Sequence, residues 1–349
     1  MRKIPLTPRP PLPQGERGSK KDNLLAPLPL RERGWGEGYK QALLALLLLI
    51  HGAAIADTFG YPLEPQQIAP DTYVLEGKTE DFSRKNGGYI VNTGYIITAD
   101  GVVVIDSGPS KRFGEQQRTL IEKATGKPVI RLYLTHHHPD HFLGNQAYGE
   151  IPRYALPASK QAMQLEGEAF TANMYRMTGD WMRGTSITLP DKEAKAGTET
   201  VGGHQLETIA LSGHTPGDLA LFDHTTGILF AGDLVFNNRA ATTPHANIAA
   251  WLTALEKLQS LPLKMIVPGH GKVAQDKAPI EQTRDYLQWL SATLKQGAAN
   301  GLDMNEVMQT PIPERFKAVA LAHSELQRSV SHLYPALETD SLKPAKQAE

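Results

Sequence analysis

Residues 135–141 read THHHPDH, and this stretch restricts the chain more tightly than any other. Four histidines and an aspartate crowded into so short a span lose solvation and compete for hydrogen-bond partners, so the fold must give them something to hold. In an extended segment leaving a strand, residues two apart project to the same side. His136 and His138 can therefore grip one ion, while Asp140 and His141, where the chain turns, face a second. His137 points away from that pair. The sequence has no cysteine, which excludes disulfides, iron–sulfur centres, zinc ribbons and a thiol nucleophile. Any metal must be bound by nitrogen and oxygen.

Three further segments share a local grammar: SGHTPGD around His214, AGD around Asp233 and PGHG around His270. Each closes a β-rich run with a small residue beside one that can ligate a metal. Glycine permits the tight turn and close backbone approach that a shared cluster needs, and strand ends position side chains accurately. One sorting assigns His136, His138 and His214 to a first ion and Asp140, His141 and His270 to a second, with Asp233 bridging. Each ion then has three ligands plus the bridge, and room remains for a shared water, as in a catalytic rather than a structural zinc site. His204, His224, His323 and His332 lack such settings and read as ordinary hydrogen-bonded histidines.

The N-terminal region reads differently. PLPQGERG (11–18) and PLPLRERG (27–34) match at six of eight positions, which suggests translated repetitive DNA ahead of the true start. Residues 1–38 are expected to be spurious or disordered. Residues 39–56 carry the apolar run ALLALLLLI (42–50) behind Lys40 and end on Ala54-Ile55-Ala56, the pattern of a signal peptide cleaved near Ala56/Asp57. The run is too short to span a bilayer. The expected mature product is periplasmic, without a stable membrane span. Residues 1–56 hold nine Lys/Arg against four Asp/Glu, leaving 27 against 33 downstream. A mildly acidic body without a basic stripe gives no footprint for nucleic acid.

Residues 57–349 are read as one domain with C-terminal helices, because strand and helix patterns alternate without a linker. Expected strands are 89–98, 101–108, 128–135, 186–189, 204–211, 218–222, 228–231 and 264–267. Expected helices are 113–125, closed by Gly126, and 248–258, with Ala250, Leu252, Leu255 and Leu258 on one face. The sequence from Ala278 onward is mostly helical. Residues 158–183 form a helical excursion in which Tyr175, Trp181 and Arg183 are expected to pack rather than cover a site.

These seven residues and their settings resemble the metallo-β-lactamase superfamily, from about Asp71 to the PGHG segment. The resemblance implies an α/β fold, a four-layer αββα sandwich with metals at one edge of its two sheets. It also implies metal-ligand roles for His136, His138, Asp140, His141, His214, Asp233 and His270. True lactamases typically carry cysteine or serine where Asp233 stands, so the resemblance points to the thioesterase-type hydrolytic branches, glyoxalase II among them, rather than to a β-lactamase. Arg284, Lys295, Arg315, Lys317 and Arg328 are scattered along the tail, which argues against glutathione thioesters. The runs EDFSRKNGGYIVNTGYIIT, TANMYRMTGDWMRGT and FNNRAATTPHANIAAW are most similar to an exported branch, the zinc metallohydrolases of a quinoprotein relay system, linked with quinone-dependent alcohol oxidation.

The resulting expectation is an exported binuclear zinc hydrolase that turns a metal-bridging hydroxide on a small ester, thioester or lactone. Asp140 orients the attacking oxygen or accepts its proton. Two Zn2+ per chain are expected, with Fe or Mn as the other cations such donors admit. The expected partners are a small-molecule substrate and, functionally, a quinoprotein dehydrogenase. The alternative is a mononuclear iron oxidoreductase resembling persulfide dioxygenase on the same scaffold. Arg239 is the candidate contact for a substrate carboxylate. His245 is either a polar substrate contact or a helix-start residue near Asn247.

Overall fold

The computed structural model describes residues 60–341; the repeated N-terminal segment and the leader-like run lie outside them. Its first sheet takes β1 (Pro65–Ala69), β2 (Thr72–Leu75), β3 (Thr93–Ile97), β4 (Val102–Ile105), β5 (Val129–Tyr133), β6 (Arg153–Ala155) and β7 (Lys192–Glu193) in that spatial order. β1 to β4 are antiparallel neighbours, and β4 to β7 pair in parallel. The second sheet runs β12-β11-β10-β9-β8, from β8 (Gly197–Val201), β9 (His204–Leu211), β10 (Asp218–Asp223), β11 (Ile228–Phe236) and β12 (Met265–His270). Only its β11–β12 pair is parallel.

The period of two along each strand decides which layer its side chains enter. On β4, Val103 and Ile105 join Ile96, Leu219, Leu221 and Phe230 in the core between the sheets. Val102 and Val104 face the other way, against Ile121 of α1 (Lys111–Thr125) and Met163 and Met174 of α3 (Pro157–Thr178). On β10, Ala220 and Phe222 likewise point outward. They meet Trp251 and Leu255 of α4 (Ile248–Gln259), Leu287 and Leu290 of α5 (Ala278–Ala299) and Leu326 of α6 (Ala322–Ser341). Two sheets packed face to face, each covered by helices outside, make the αββα sandwich.

Local chemistry sets the helix ends. Ser110 accepts a hydrogen bond from Phe113 N, and Gly126 closes α1 in the left-handed conformation at φ 67. Asn247 caps α4 by accepting from Ala250 N. The buried face of α4 is Trp251, Ala254, Leu255 and Leu258. The expected stripe therefore holds at Leu255 and Leu258 and rotates at its start, because the indole of Trp251 occupies the core and donates to Leu234 O. Residues 186–189 are not a strand. They follow a turn of 3-10 helix (Gly179–Met182) and run as irregular chain held by Asn145 Nδ2, which donates to Thr188 O. Strands β1, β2, β6, β7 and β8 carry no alternation long enough to announce them.

Among the described residues, no helix is long and apolar enough to cross a membrane.

Candidate metal centre

The metal-capable residues gather at one edge of the two sheets, and the strand expected to end at residue 231 instead runs through Asp233 to Phe236. His136 and His138 follow β5, and Asp140 and His141 lie in α2 (Pro139–Phe142), whose Pro139 occupies the first turn. His214 lies between β9 and β10, Asp233 within β11 and His270 at the end of β12. The aim of Asp233 depends on a break in the β11–β12 register at Gly232. Gly232 adopts φ 52, where glycine sits without strain, and a Cβ there would lie 2.7 Å from Thr135 Cβ.

The side chains converge. His136, His138, His214 and Asp233 form one buried group, with one ligand atom from each within 4.8 Å of the others, and Asp140, His141 and His270 form a second. Asp233 stands between the groups: Oδ1 is 3.1 Å from His141 Nε2, while Oδ2 is 3.2 Å from His270 Nε2 and 3.4 Å from His214 Nε2. His136 Nε2 is 3.9 Å from the same Oδ2. Asp140 Oδ2 is 3.3 Å from His270 Nε2 and 3.8 Å from His141 Nε2.

His136 Nε2, His141 Nε2, Asp140 Oδ2 and Asp233 Oδ1 are buried without a well-directed hydrogen bond, although His141 and Asp233 lie within ion-pair range. Buried polar atoms left unpaired cost about 1–3 kcal/mol each, and here they are aimed at one another across a shared space. A divalent cation bound by nitrogen and oxygen relieves that cost, so the residues fit a binuclear zinc-type centre.

Electrostatics point the same way. Burial opposes protonation of His141, but Asp233, Asp106 and Asp140 outweigh it and hold this imidazole well above the usual histidine range. Burial, reinforced by His141, keeps His136 well below that range. Burial does the same to His138, and it brings His214 down to about 3 despite the pull of Asp233. Burial also works against the charge on Asp233, yet His270 and His141 hold its pKa well below the ordinary carboxylate value. Neutral His136, His138 and His214 beside an ionised Asp233 are ready donors, whereas His141 must give up a proton to join them.

The rings are held from behind by residues the sequence does not announce. Asp106 Oδ2 lies 2.7 Å from His141 Nδ1, and the same carboxylate accepts from Thr135 N and Thr135 Oγ1, both at 2.8 Å. Thr135 Oγ1 is also 3.0 Å from His136 Nδ1. His270 Nδ1 meets Ile90 O at 2.8 Å. Asn92 anchors the PGHG turn by donating to Pro268 O (2.9 Å) and Gly271 O (2.6 Å). The one available signal was VVVIDSG, in which an aspartate directly follows an all-apolar strand.

A cavity of about 340 Å³ opens over His138, Asp140, Asp233 and His270. Phe82, Ile90, Phe170 and Met177 line it with apolar surface, and Asn173, Arg328 and His332 with polar groups. His332, read from the sequence as ordinary, thus borders the candidate site. His204 pairs with Asp223 and His224 with Glu207, each at 2.8 Å, and neither lines the cavity.

Arg239 is the candidate contact for a substrate carboxylate. Arg239 borders the cavity but is only 2% exposed, and it is committed to Glu325 (3.3 Å), Thr242 Oγ1 (3.0 Å) and Ala240 O (3.2 Å). His245, expected as a polar substrate contact or a helix-start residue near Asn247, lines the cavity two residues before that cap, and its Nδ1 lies 2.8 Å from His138 Nε2. On the excursion, Trp181 packs 4.5 Å from Tyr61, Arg183 pairs with Asp180 and Tyr175 is exposed. The cavity is reached instead from the same helix by Phe170, Asn173 and Met177.

Residues 86–270, more than half of the chain, match the sequence model of the Metallo-beta-lactamase superfamily, and the chain belongs to that family. Curated relatives are distant. A linear primary-alkylsulfatase from Pseudomonas sp. (strain ATCC 19151) is 19% identical over 259 residues, covering 61% of this chain and 48% of its own length. The chain thus spans about half of that relative. Metallo-beta-lactamase IND-1 from Chryseobacterium indologenes is 25% identical over 195 residues, covering 53% of this chain and 73% of the relative. Among solved structures, a metallo-beta-lactamase from Pontibacter korlensis superposes with a TM-score of 0.53 at 26% identity, over 65% of this chain and 99% of that one. A beta-lactamase domain protein from Burkholderia ambifaria reaches 0.59 at 19% identity, over 80% and 93%, and supports the fold alone.

Proposed function

We propose that this chain is an exported, metal-dependent hydrolase acting on a small ester, thioester or lactone. His136, His138 and His214 would hold one divalent cation, Asp140, His141 and His270 a second, and Asp233 both. The observation that carries the reading is the set of unpaired buried donors converging on the floor of an open cavity. Two zinc ions there would supply an acidified water and Lewis acidity toward a carbonyl oxygen.

The remaining work belongs to the protein. Asp140 places a carboxylate oxygen between His141 and His270 on the cavity floor, where it can accept the proton of an attacking water. Asp106 and the Ile90 carbonyl fix the rings of His141 and His270, so little reorganisation is needed during the reaction. Phe82, Ile90, Phe170 and Met177 suit an apolar acyl portion and exclude bulk water around it. Asn173 and His332 are left to orient polar substituents.

Asp233 stands where lactamases typically place a thiol or hydroxyl, so β-lactams are not the proposed substrates although relatives carry that name. The alkylsulfatase relative makes a sulfate ester a necessary comparison. The leader-like residues 39–56 support export to the periplasm, and the three runs similar to the quinoprotein relay branch support a functional link with quinone-dependent oxidation.

The test is turnover by the full chain, purified without chelator, on aryl ester, thioester, lactone, sulfate ester and β-lactam substrates. Hydrolysis of at least one carbonyl ester class, abolished by chelator and by D140N, is expected. Oxygen uptake with a persulfide and no hydrolysis would overturn the proposal in favour of an iron oxidoreductase.

A further inference from the structure

Glu166 lies on α3, outside the cation-holding set, with a side chain that is 38% exposed. Its Oε2 is 3.1 Å from His245 Nε2. The other nitrogen of His245, Nδ1, is 2.8 Å from His138 Nε2, and His138 Nδ1 in turn is 2.8 Å from His214 Nε2 inside the centre. The second oxygen of Glu166 stops 3.9 Å from His137 Nε2, beyond hydrogen-bond reach. An unbroken series of contacts therefore links the candidate centre to a surface helix.

Hydrogen-bond direction gives the series a meaning. A neutral imidazole has one N–H and one lone pair. His138 faces the centre with Nδ1, so the lone pair needed by a cation sits there and the N–H sits on Nε2. That N–H donates to His245 Nδ1, which leaves the proton of His245 on Nε2, facing Glu166. The carboxylate accepts it. The His138–His245 and His245–Glu166 contacts then each have one donor and one acceptor, while the lone pairs of His138 Nδ1 and His214 Nε2 both face the first cation. The reverse order would turn the N–H of His138 into the centre and leave Glu166 facing a lone pair.

Glu166 also has a second set of neighbours. Residues 166, 170, 173 and 177 follow the spacing of one helical face, and Phe170, Asn173 and Met177 of that face line the cavity. The contact that fixes His245 thus also holds the cavity-covering side of α3 against the TTPHAN segment. We propose that Glu166 and His245 are positioning residues that lock the ring and tautomer of His138 for the first cation, and that through them cation binding and closure of α3 over the cavity are coupled. The coupling is reciprocal: what loosens the helix weakens the cation, and the cation steadies the helix. The inference rests on the binuclear reading of the centre given above.

The experiment uses the full chain loaded with zinc, the variants E166A and E166Q, and two readouts. One is competition for bound zinc with a chromophoric chelator. The other is hydrogen exchange of the amides of residues 157–178 with and without zinc. In E166A, one of the two ions is expected to weaken by roughly 10-fold or more while the other is retained, and zinc should no longer slow exchange along α3. E166Q, which keeps an oxygen to accept from His245, should recover part of both effects. The coupling is overturned if E166A holds both ions with wild-type affinity and zinc still slows exchange in α3. A wild-type protein that takes up no zinc would bring down the centre itself, and the inference with it, before any variant is compared.

Discussion

Asp106 buries its carboxylate against His141 and holds its own backbone at φ 60, in the left-handed region. A side-chain-bearing residue accepts that conformation only where its surroundings over-determine it. Here three hydrogen bonds do so. The same carboxylate, with Asp233 and Asp140, raises the pKa of His141 against the effect of burial. The raised pKa favours the protonated imidazole of His141 in the cation-free fold, and a cation must displace that proton. Zinc affinity is expected to rise with pH through the raised His141 pKa, and titration of zinc at several pH values checks it. By the same linkage, the ion pairs of His141 stabilise the cation-free fold fully below the ordinary histidine pKa, and that stabilisation is lost as pH rises through the raised one. D106A should weaken zinc by about 10–100-fold and flatten the pH dependence of binding. An unchanged affinity would remove Asp106 from the account. The metal-capable residues themselves were legible because six of the seven sit beside a glycine, proline or second histidine, and His141 directly follows Asp140 in the same short cluster. Asp106 was not, because its partner lies 35 positions away and no local pattern encodes that contact.

At the level of elements, the end of β12 is held across the two sheets. Asn92, just before β3, donates to Pro268 O and Gly271 O, accepts from Gly77 N at 3.0 Å and gives its own backbone N–H to Gly269 O at 2.8 Å. N92A would leave buried carbonyls and an amide unpaired, at a cost of roughly 2–3 kcal/mol, measurable as a lower urea midpoint. Because His270 ends β12, the same change should also weaken the second cation. Gly269 is equally constrained, since an added methyl group would collide with Asp233 Oδ1. G269A should abolish metal-dependent activity, and retained activity would mean that Asp233 does not need its observed place. Long apolar runs such as GVVVIDSG and PVIRLYLT announced their strands by composition. The short strands β1, β6 and β7 did not, because pairing rather than residue preference determines them.

For the whole molecule, the sandwich brings strand ends from both sheets to one edge, and four segments far apart in sequence supply one cluster there. The layer order followed from strand and helix alternation together with the resemblance carried by HHHPDH. The cavity wall did not follow, because Phe170, Asn173, Arg328 and His332 come from helices whose docking depends on tertiary packing. That packing also turned Arg239 inward onto Glu325, a pairing across 86 positions that a rim residue in NNRAATTPHA gives no sign of. The central claim is that this edge holds two divalent cations. Elemental mass spectrometry of the full chain, purified without chelator, tests it most directly. The account predicts close to two zinc per chain, falling to about one when His214 or His270 is replaced by alanine. A chain that carries no metal after zinc is supplied, or a single iron, would contradict it.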